Sequence, residues 1–522
     1  MKKISVFYLI FILTFYQQAT AQPTYQWAAQ MDQTSSSHFS NRVRAYDMEV
    51  DPNGNVYVVG SVDGTVDFDV FNPGGDLTSA NGGSGTPSED PFIAKYDANG
   101  NYLWASLISN PNGDNSNDRA VSIAVDQNGN AYVTGDMYDG SLGGFLSRYT
   151  DAGVHSYTHV IEGYSGFKTS ELVCVDNNDN VYVFDRFDGT EDLDPTAGVD
   201  NHTAIGAYDG YIAKFTGSTG AFQWAQQIGN ANYISCHDIE TDGTYLYITG
   251  GFEGTMDFDP GPGTLNLAGD GTHYDLFLAR YSVVDGSVDY ADFIGSSGSH
   301  DYGRDIEIDG DNLFMVVQYT DNVDFDFSGS TYFLDTGDPG VIEMAIASYN
   351  KNTLALNWAH TMPYSGGGTT NMCIHENGPL MMGNYAGTGD FDPGTGTANL
   401  TVGAGSTFAA CLLDANGTFQ WAENVATNSS VAYWNDIAST GSGNFYTSGD
   451  FSADVALDPS TTAYTLSEGS VGDDGYVAKY STCTPSTDPT SVNATTNPLC
   501  EGNSTTLSVQ GGSLGTGANW EW

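Results

Sequence analysis

The chain has 522 residues, with 14 Lys and Arg against 65 Asp and Glu, a formal net charge of −51. Fourteen of the acids are Glu, which leaves 51 Asp. Such a polyanion is repelled by nucleic-acid phosphates and by anionic membrane surfaces, and it favours cations near its surface. A hydrophobic content of 40% and an aromatic content of 13% exclude a disordered acidic chain. Sixty-four Gly beside abundant Asp and scarce Glu and Lys predict tight turns over helices, and hence an all-β protein.

Residues 1–21 read as a signal peptide. Lys2 and Lys3 precede an apolar run from Ile4 to Tyr16, and Ala19-Thr20-Ala21 forms a small-residue cleavage site. Export is therefore expected, with a secreted or cell-surface location and no membrane span after cleavage. Removal of the leader takes two Lys and no acid, so the charge moves to −53.

Residues 22–480 are dominated by internal repetition. The unit is clearest in residues 44–105. Strand a (Tyr46–Val50) leads through the turn at Pro52-Asn53-Gly54-Asn55 to strand b (Val56–Gly60). A long Asp/Gly segment follows, then strand c (Phe92–Tyr96), the turn Asp97-Ala98-Asn99-Gly100, and strand d (Leu103–Leu107) with its Trp104-Ala105. Trp-Ala recurs at Trp27, Trp224, Trp358 and Trp421, with degenerate copies at Tyr157 and Tyr290. The Tyr-Val-x-Gly and Phe-Ile-Ala-Lys-Tyr strands also occur in seven versions. Seven units of four short strands predict a seven-bladed β-propeller, with the aromatic residues filling the gaps between blades. The phase of the repeat adds a connection. An orphan d strand, Tyr25–Met31, starts the array, and an orphan c strand, Tyr476–Tyr480, ends it. The N-terminal strand is thus expected to complete the last blade and remove its open edges.

The succession Asp-x-x-Gly-Asn-x-Tyr-Val-x-Gly, Phe-Ile-Ala-Lys-Tyr-Asp-x-x-Gly and Trp-Ala resembles the secreted bacterial seven-bladed β-propeller (SBBP-type) repeat family over residues 25–480. The resemblance implies the fold and leaves function open. Unit 2 lacks the Asp-Phe-Asp segment and unit 6 has Met381-Met382 in place of Tyr-Val, so those blades are expected to be less regular.

Residues 481–498 read as a Ser/Thr/Pro linker, and 499–522 resemble the opening strands of an Ig-like sandwich of Bacteroidota-type surface proteins, with Trp520 at the core-tryptophan position. Such a domain needs roughly 100 residues, so the chain is expected to continue beyond Trp522. Cys483 and Cys500 flank the linker, and their pairing stays open. Cys174, Cys236, Cys373 and Cys411 lie in strands and read as buried thiols. No CxxC occurs and the nine His form no zinc-binding spacing.

Strands alternate in direction, so the b–c and d–a loops share one face. The b–c loops carry Asp67 and Asp69, Asp192 and Asp194, Asp257 and Asp259, Asp324 and Asp326, and Asp390 and Asp392; unit 7 keeps Asp458, and the d–a loops add Asp114, Asp118 and Asp301. The five pairs are candidate Ca²⁺ ligands, since that ion takes six to eight oxygens from carboxylates and carbonyls. The competing account is turn chemistry, in which Asp accepts backbone N–H groups and the central apolar residue packs inward. Asp51-Pro-Asn-Gly-Asn55 and its copies at Asp126 and Asp176 read as hairpin turns. No catalytic triad, phosphate loop or cofactor motif stands out, and acids repeated around a ring look architectural. The expected function is a calcium-assisted binding or adhesion module for an extracellular polysaccharide or surface protein. The alternatives are a polysaccharide-active enzyme using a carboxylate pair on the b–c face and a structural spacer.

Overall fold

The computed structural model describes residues 23–482 apart from loop segments 36–41, 73, 80–88, 110–117, 139–141, 163–171, 231, 297, 338–339, 366–369, 377, 426–431, 442, 459–464 and 468–471, together with two short strands at 492–494 and 507–509. The leader at 1–21, Asp114, Cys483, Cys500 and most of the linker and tail lie outside the described residues.

Six four-stranded antiparallel sheets, each with strand order a-b-c-d, and a seventh sheet of six strands that runs on from Thr24–Ser35 into Thr65–Asp67 and Asp76–Thr78 form the blades among the described residues. The a strands are Val43–Val50, Arg119–Val125, Leu172–Val175, Ile234–Thr241, Tyr302–Asp309, Thr370–His375 and Ala432–Ser439. All seven line one central channel, a cavity of about 630 Å³. The chain is thus an all-β, seven-bladed propeller. Six blades run straight through a-b-c-d in sequence. In the seventh, Thr24–Ser35 lies antiparallel to Asp474–Ser481, with Trp27 opposite Lys479 and Ala28 opposite Ala478. That strand runs past the predicted Met31: Asp32 and Gln33 pair with Asp67 and Val66 of blade 1.

The repeat motifs have identifiable causes. Trp104 of one blade lies against Gly153 in the c–d turn of the next, where a Cβ would come within 2.6 Å of the indole. The Trp104 Nε1–H donates to the Asp151 carbonyl of the same turn (3.0 Å). Trp358 repeats this with Gly417 and Ala415, and Trp27 does so with Gly100 and Ala98 of blade 1. Lys or Arg in strand c lies over a strand-b tyrosine, as Lys95 over Tyr57 (4.5 Å) and Lys479 over Tyr446 (5.4 Å). The hairpin turns form as expected: Asp51 Oδ1 accepts from the Asn53 and Asn55 amides, and Gly54 takes φ of 80°.

The b–c segments of blades 1, 3, 4, 5, 6 and 7 form short two-stranded ribbons, such as Thr255–Asp257 with Asn266–Ala268. Blade 2, which lacks the Asp-Phe-Asp segment, passes from Tyr138 to Leu142 with no ribbon among the described residues. Phe68, Leu193, Phe258, Phe325 and Phe391, the residues between the paired aspartates, are buried. Cys174, Cys236, Cys373 and Cys411 are free and buried. No described helix is long and apolar enough to cross a membrane. In the tail, Val492–Ala494 pairs with Leu507–Val509.

Strand a carries a β-bulge in blades 1, 2, 4, 5 and 7, which leaves Tyr46, Val121, His237, Arg304 and Asn435 without a partner in register. In blades 1, 2 and 4 the bulge brings a strand-a carbonyl over the strand-b glycine of Tyr-Val-x-Gly. A Cβ on Gly60, Gly135 or Gly250 would meet Arg44, Arg119 or Ser235 oxygen at 1.7, 1.9 or 2.0 Å. Gly250→Ala is expected to cost about 2 kcal/mol in denaturant unfolding, whereas Gly403→Ala, which faces open space, should stay within about 0.5 kcal/mol of the parent.

Candidate binding face and central channel

Strand a is the inner edge of every sheet, so its outward amides need acceptors other than a neighbouring strand. At four of the seven seams an aspartate on the preceding blade supplies one. Asp47 Oδ2 accepts from Ile123 N (2.7 Å), Asp238 Oδ2 from Ile306 N (2.7 Å), Asp305 Oδ2 from Met372 N (2.6 Å) and Asp436 Oδ2 from Met48 N (3.0 Å). Each bond joins one blade to the next. At the seam between blades 6 and 7 the sense is reversed, with Asn371 Nδ2 donating to Asn435 O and Asp436 Oδ1.

Two residues further along strand a, Glu49, Glu240 and Glu307 also line the channel. Seven carboxyl groups therefore crowd one narrow space. Burial raises the proton affinity of all seven, and for all but Asp47 a neighbouring carboxyl adds to it. Glu49 is held at about 7, Asp238 at about 6 and Glu240 at about 8. Asp47 and Asp436 act on one another, as do Asp238 and Asp305, so the two carboxyls of each pair titrate together. Sequence reading passed over this set. Its signal was the recurrent Asp-apolar-Glu at 47–49, 238–240 and 305–307.

The ten sequence-predicted aspartates sit in separate loops. Asp192 Oδ1 accepts from Asp194 N and Asp200 N; Asp257 Oδ1 from Asp259 N and Leu265 N; Asp324 Oδ1 from Asp326 N and Tyr332 N; Asp390 Oδ1 from Asp392 N and Ala398 N. Asp67 Oδ1 accepts from Asp69 N. The second aspartates form Asx turns, with Asp194, Asp259, Asp326 and Asp392 accepting the amides of Thr196, Gly261, Ser328 and Gly394. Asp69 accepts from Asn72 Nδ2 (3.2 Å). The first aspartate thus staples its loop across eight residues. Among the described residues, no three His, Cys, Asp or Glu side chains converge as a metal set. Asp301 is likewise a staple, accepting from Ser296 N and Oγ and from Thr320 N. Asp118 is buried.

The mouth of the channel on the b–c and d–a side is less uniform. Four of the bulge residues, Tyr46, Val121, His237 and Arg304, line the cavity. These equivalent positions carry four different chemistries, so the repeat does not dictate them. Bulges re-aim side chains and recur beside functional sites. His237 is held at about 4 by burial and by Arg304 and Arg186. It is therefore neutral, with Nδ1 donating to Gly303 O (2.9 Å) and Nε2 accepting from Ser235 Oγ (3.1 Å).

Comparison with known proteins agrees with the repeat. Residues 103–136 match the SBBP β-propeller repeat family. A curated relative, an uncharacterised WD repeat-containing protein of Acanthamoeba polyphaga mimivirus, is 27% identical over 177 residues; the match spans 27% of this chain and 12% of that protein. Among solved structures, the Neurospora crassa Pan2 WD40 domain is 9% identical with a TM-score of 0.42, covering 88% of this chain and 96% of that one. The Dos1 propeller is 9% identical with a TM-score of 0.42, covering 86% and 95%. A Dyadobacter fermentans protein of unknown function is 9% identical with a TM-score of 0.39, covering 88% and 99%.

The channel acids give stability a definite pH dependence. A carboxyl whose folded pKa is raised stabilises the fold below its unfolded value, and that contribution is lost as pH rises through the folded pKa. Glu240 therefore contributes most near pH 4 and loses that contribution by about pH 8. Thermal melts of the parent and Glu240→Gln should diverge across this window, the parent falling by several degrees relative to the variant between pH 5 and pH 8. Parallel profiles would show that the Glu240 carboxyl is not desolvated in the folded state.

Proposed function

We propose that the chain is an exported binding or adhesion module, secreted or displayed at the cell surface. Its ligand, a polysaccharide or another surface protein, meets the face built by the b–c and d–a loops. The propeller fold supports a binding or interaction module in general. The observation that carries the reading is the contrast within that face. Packing positions repeat from blade to blade, whereas Tyr46, Val121, His237 and Arg304 differ at equivalent bulges around the cavity. The Ig-like resemblance of residues 499–522 and the Bacteroidota-type surface context belong to this reading. The pairing of Thr24–Ser35 with Asp474–Ser481 is taken as the closure of the ring, and deleting residues 24–31 is expected to lower the melting temperature markedly or prevent folding. An unchanged melting temperature would remove that role.

Calcium enters as an assistant at the rim and not as a structural ion. The Asp-x-Asp loops are already ordered by their own amides. Oδ2 of Asp192, Asp257, Asp324 and Asp390 accepts no protein hydrogen bond among the described residues, which leaves it available to bridge a cation to a ligand. A second reading, a polysaccharide-active enzyme, draws on Glu49 and Glu240, whose values of about 7 and about 8 suit acid–base work. It moves the working carboxylates from the b–c loops into the channel.

A glycan array with and without Ca²⁺, followed by product analysis on each hit, tests these readings. Binding without turnover is expected. Turnover that is lost in Glu240→Gln would favour the enzyme. Millimolar Ca²⁺ should raise affinity while leaving the melting temperature unchanged, and a rise of several degrees would make the ion structural.

A further inference from the structure

We propose that the channel mouth in blades 3 to 5 binds a carboxylated sugar, with Arg304 receiving the carboxylate and a wall of tyrosine and histidine rings receiving the sugar face. The inference rests on the binding-module reading and names the ligand class.

The aromatic residues of the repeat are core residues: Tyr57, Tyr132, Tyr182 and Tyr247 are fully buried. A second aromatic set is not. Tyr208 precedes strand c of blade 3, Tyr233 lies in the d–a loop before blade 4, Tyr274 opens strand c of blade 4, and Tyr302 opens strand a of blade 5 after His300. The rings converge from four separate loops. Tyr208 and Tyr233 centroids are 5.0 Å apart, Tyr274 and Tyr302 5.3 Å, and Tyr274 and His300 5.6 Å. His300 stacks on Tyr302 with planes 13° apart. The Tyr208 hydroxyl acts on that of Tyr274, so the two halves adjoin. Tyr233 is 41% exposed and His300 is exposed. His300 Nδ1 accepts from Tyr274 N (3.0 Å), which places the ring proton on Nε2 as a donor. Such rings offer an apolar face beside hydrogen-bonding tips, the combination that small-molecule pockets use.

Arg304 supplies the charge. Bases are outnumbered by 65 acids to 14, yet Arg304 forms no ion pair among the described residues, unlike Arg119 with Asp136 or Lys351 with Asp242. Its Nε and Nη2 both donate to the neutral Gln318 Oε1, and its guanidinium lies 4.9 Å over the Tyr302 ring. Nη1 donates to no described acceptor. Gln318 and Tyr302 thus orient a guanidinium fork whose remaining edge fits a planar carboxylate. Arg186, 4.7 Å over Tyr208, adds a second positive charge beside neutral His237. Glu253 opposes them from the end of strand b of blade 4, acting on Tyr274 and Tyr302, and Asp301 acts on Tyr302 as well. One open fork with these two acids nearby suits a ligand of single negative charge better than a phosphate dianion.

The test is calorimetric titration of the whole chain with tetragalacturonate and with its fully methyl-esterified form, which keeps the sugar rings and removes the charge. The acid should bind at least about tenfold more tightly than the ester, a difference of ~1.4 kcal/mol. Arg304→Gln should abolish that preference without changing the melting temperature. Tyr233→Ala should weaken both forms alike, and Glu253→Gln should tighten the acid alone. Equal affinity for acid and ester, or a preference that survives Arg304→Gln, would overturn the proposal. If Arg304→Gln does not fold, an unchanged acid affinity in Glu253→Gln would overturn it. No binding of the acid while a neutral glycan or protein binds the same face would overturn this inference and leave the binding module standing. Silence of every ligand would remove both.

Discussion

The propeller depends on how seven inner sheet edges are satisfied. Each a strand has a partner on one side and the channel on the other, and an edge amide left without an acceptor is costly inside a protein. Asp47, Asp238, Asp305 and Asp436 answer this by reaching across the seam to Ile123, Ile306, Met372 and Met48. The ring is thereby stitched at its narrowest circumference, where blades are closest. Aspartate suits the task because its short side chain has two acceptor oxygens. Oδ1 of Asp47 bonds Met48 N and Oδ1 of Asp238 bonds Ile239 N, while Oδ2 serves the next blade. The consequence is a channel crowded with carboxyls of raised proton affinity, Glu49 at about 7 and Glu240 at about 8 among them. The net charge of −51 therefore overstates the charge the folded molecule carries at its centre.

Two sets among the few cations follow different logic. Lys95, Arg148, Lys214 and Lys479 occupy one repeated strand-c position, each over a tyrosine ring. They belong to the architecture. Arg186 and Arg304 occur at positions that the other blades fill differently, and both lie over rings at the channel mouth. In a repeat protein, a departure from the repeat is informative, because the fold has already shown that it does not need that residue. The bulges turn this freedom into a surface: they lift one residue per strand out of the ladder and direct it to the mouth.

Much of the architecture was legible in the sequence. Trp-Ala spacing marked seven units, and the absence of Asp-Phe-Asp in unit 2 corresponds to a blade without a ribbon. The buried Phe68, Phe258, Phe325 and Phe391 follow from their place between paired acids. The acids themselves were harder. Asp67 to Asp392 stood out because they recur in visible loops, and the geometry gives them backbone amides to accept. The channel set recurs as well, but an Asp inside an alternating strand reads as one polar position among many until the strand is known to be an inner edge. The bulges were not legible, since they depend on register between strands. The mouth cluster was not legible either. Tyr208, Tyr233, Tyr274, His300 and Tyr302 are spread over 95 residues of chain and meet only when three blades are assembled.

Hydrogen exchange at four amides tests the seam most directly. If the carboxylates clamp the inner edges, the amides of Met48, Ile123, Ile306 and Met372 will exchange as slowly as those of the central b strands, despite lining an aqueous channel. Asp305→Ala should release Met372 selectively. Rapid exchange of these four amides in the intact protein would contradict the clamp and remove the basis for treating the channel acids as architecture.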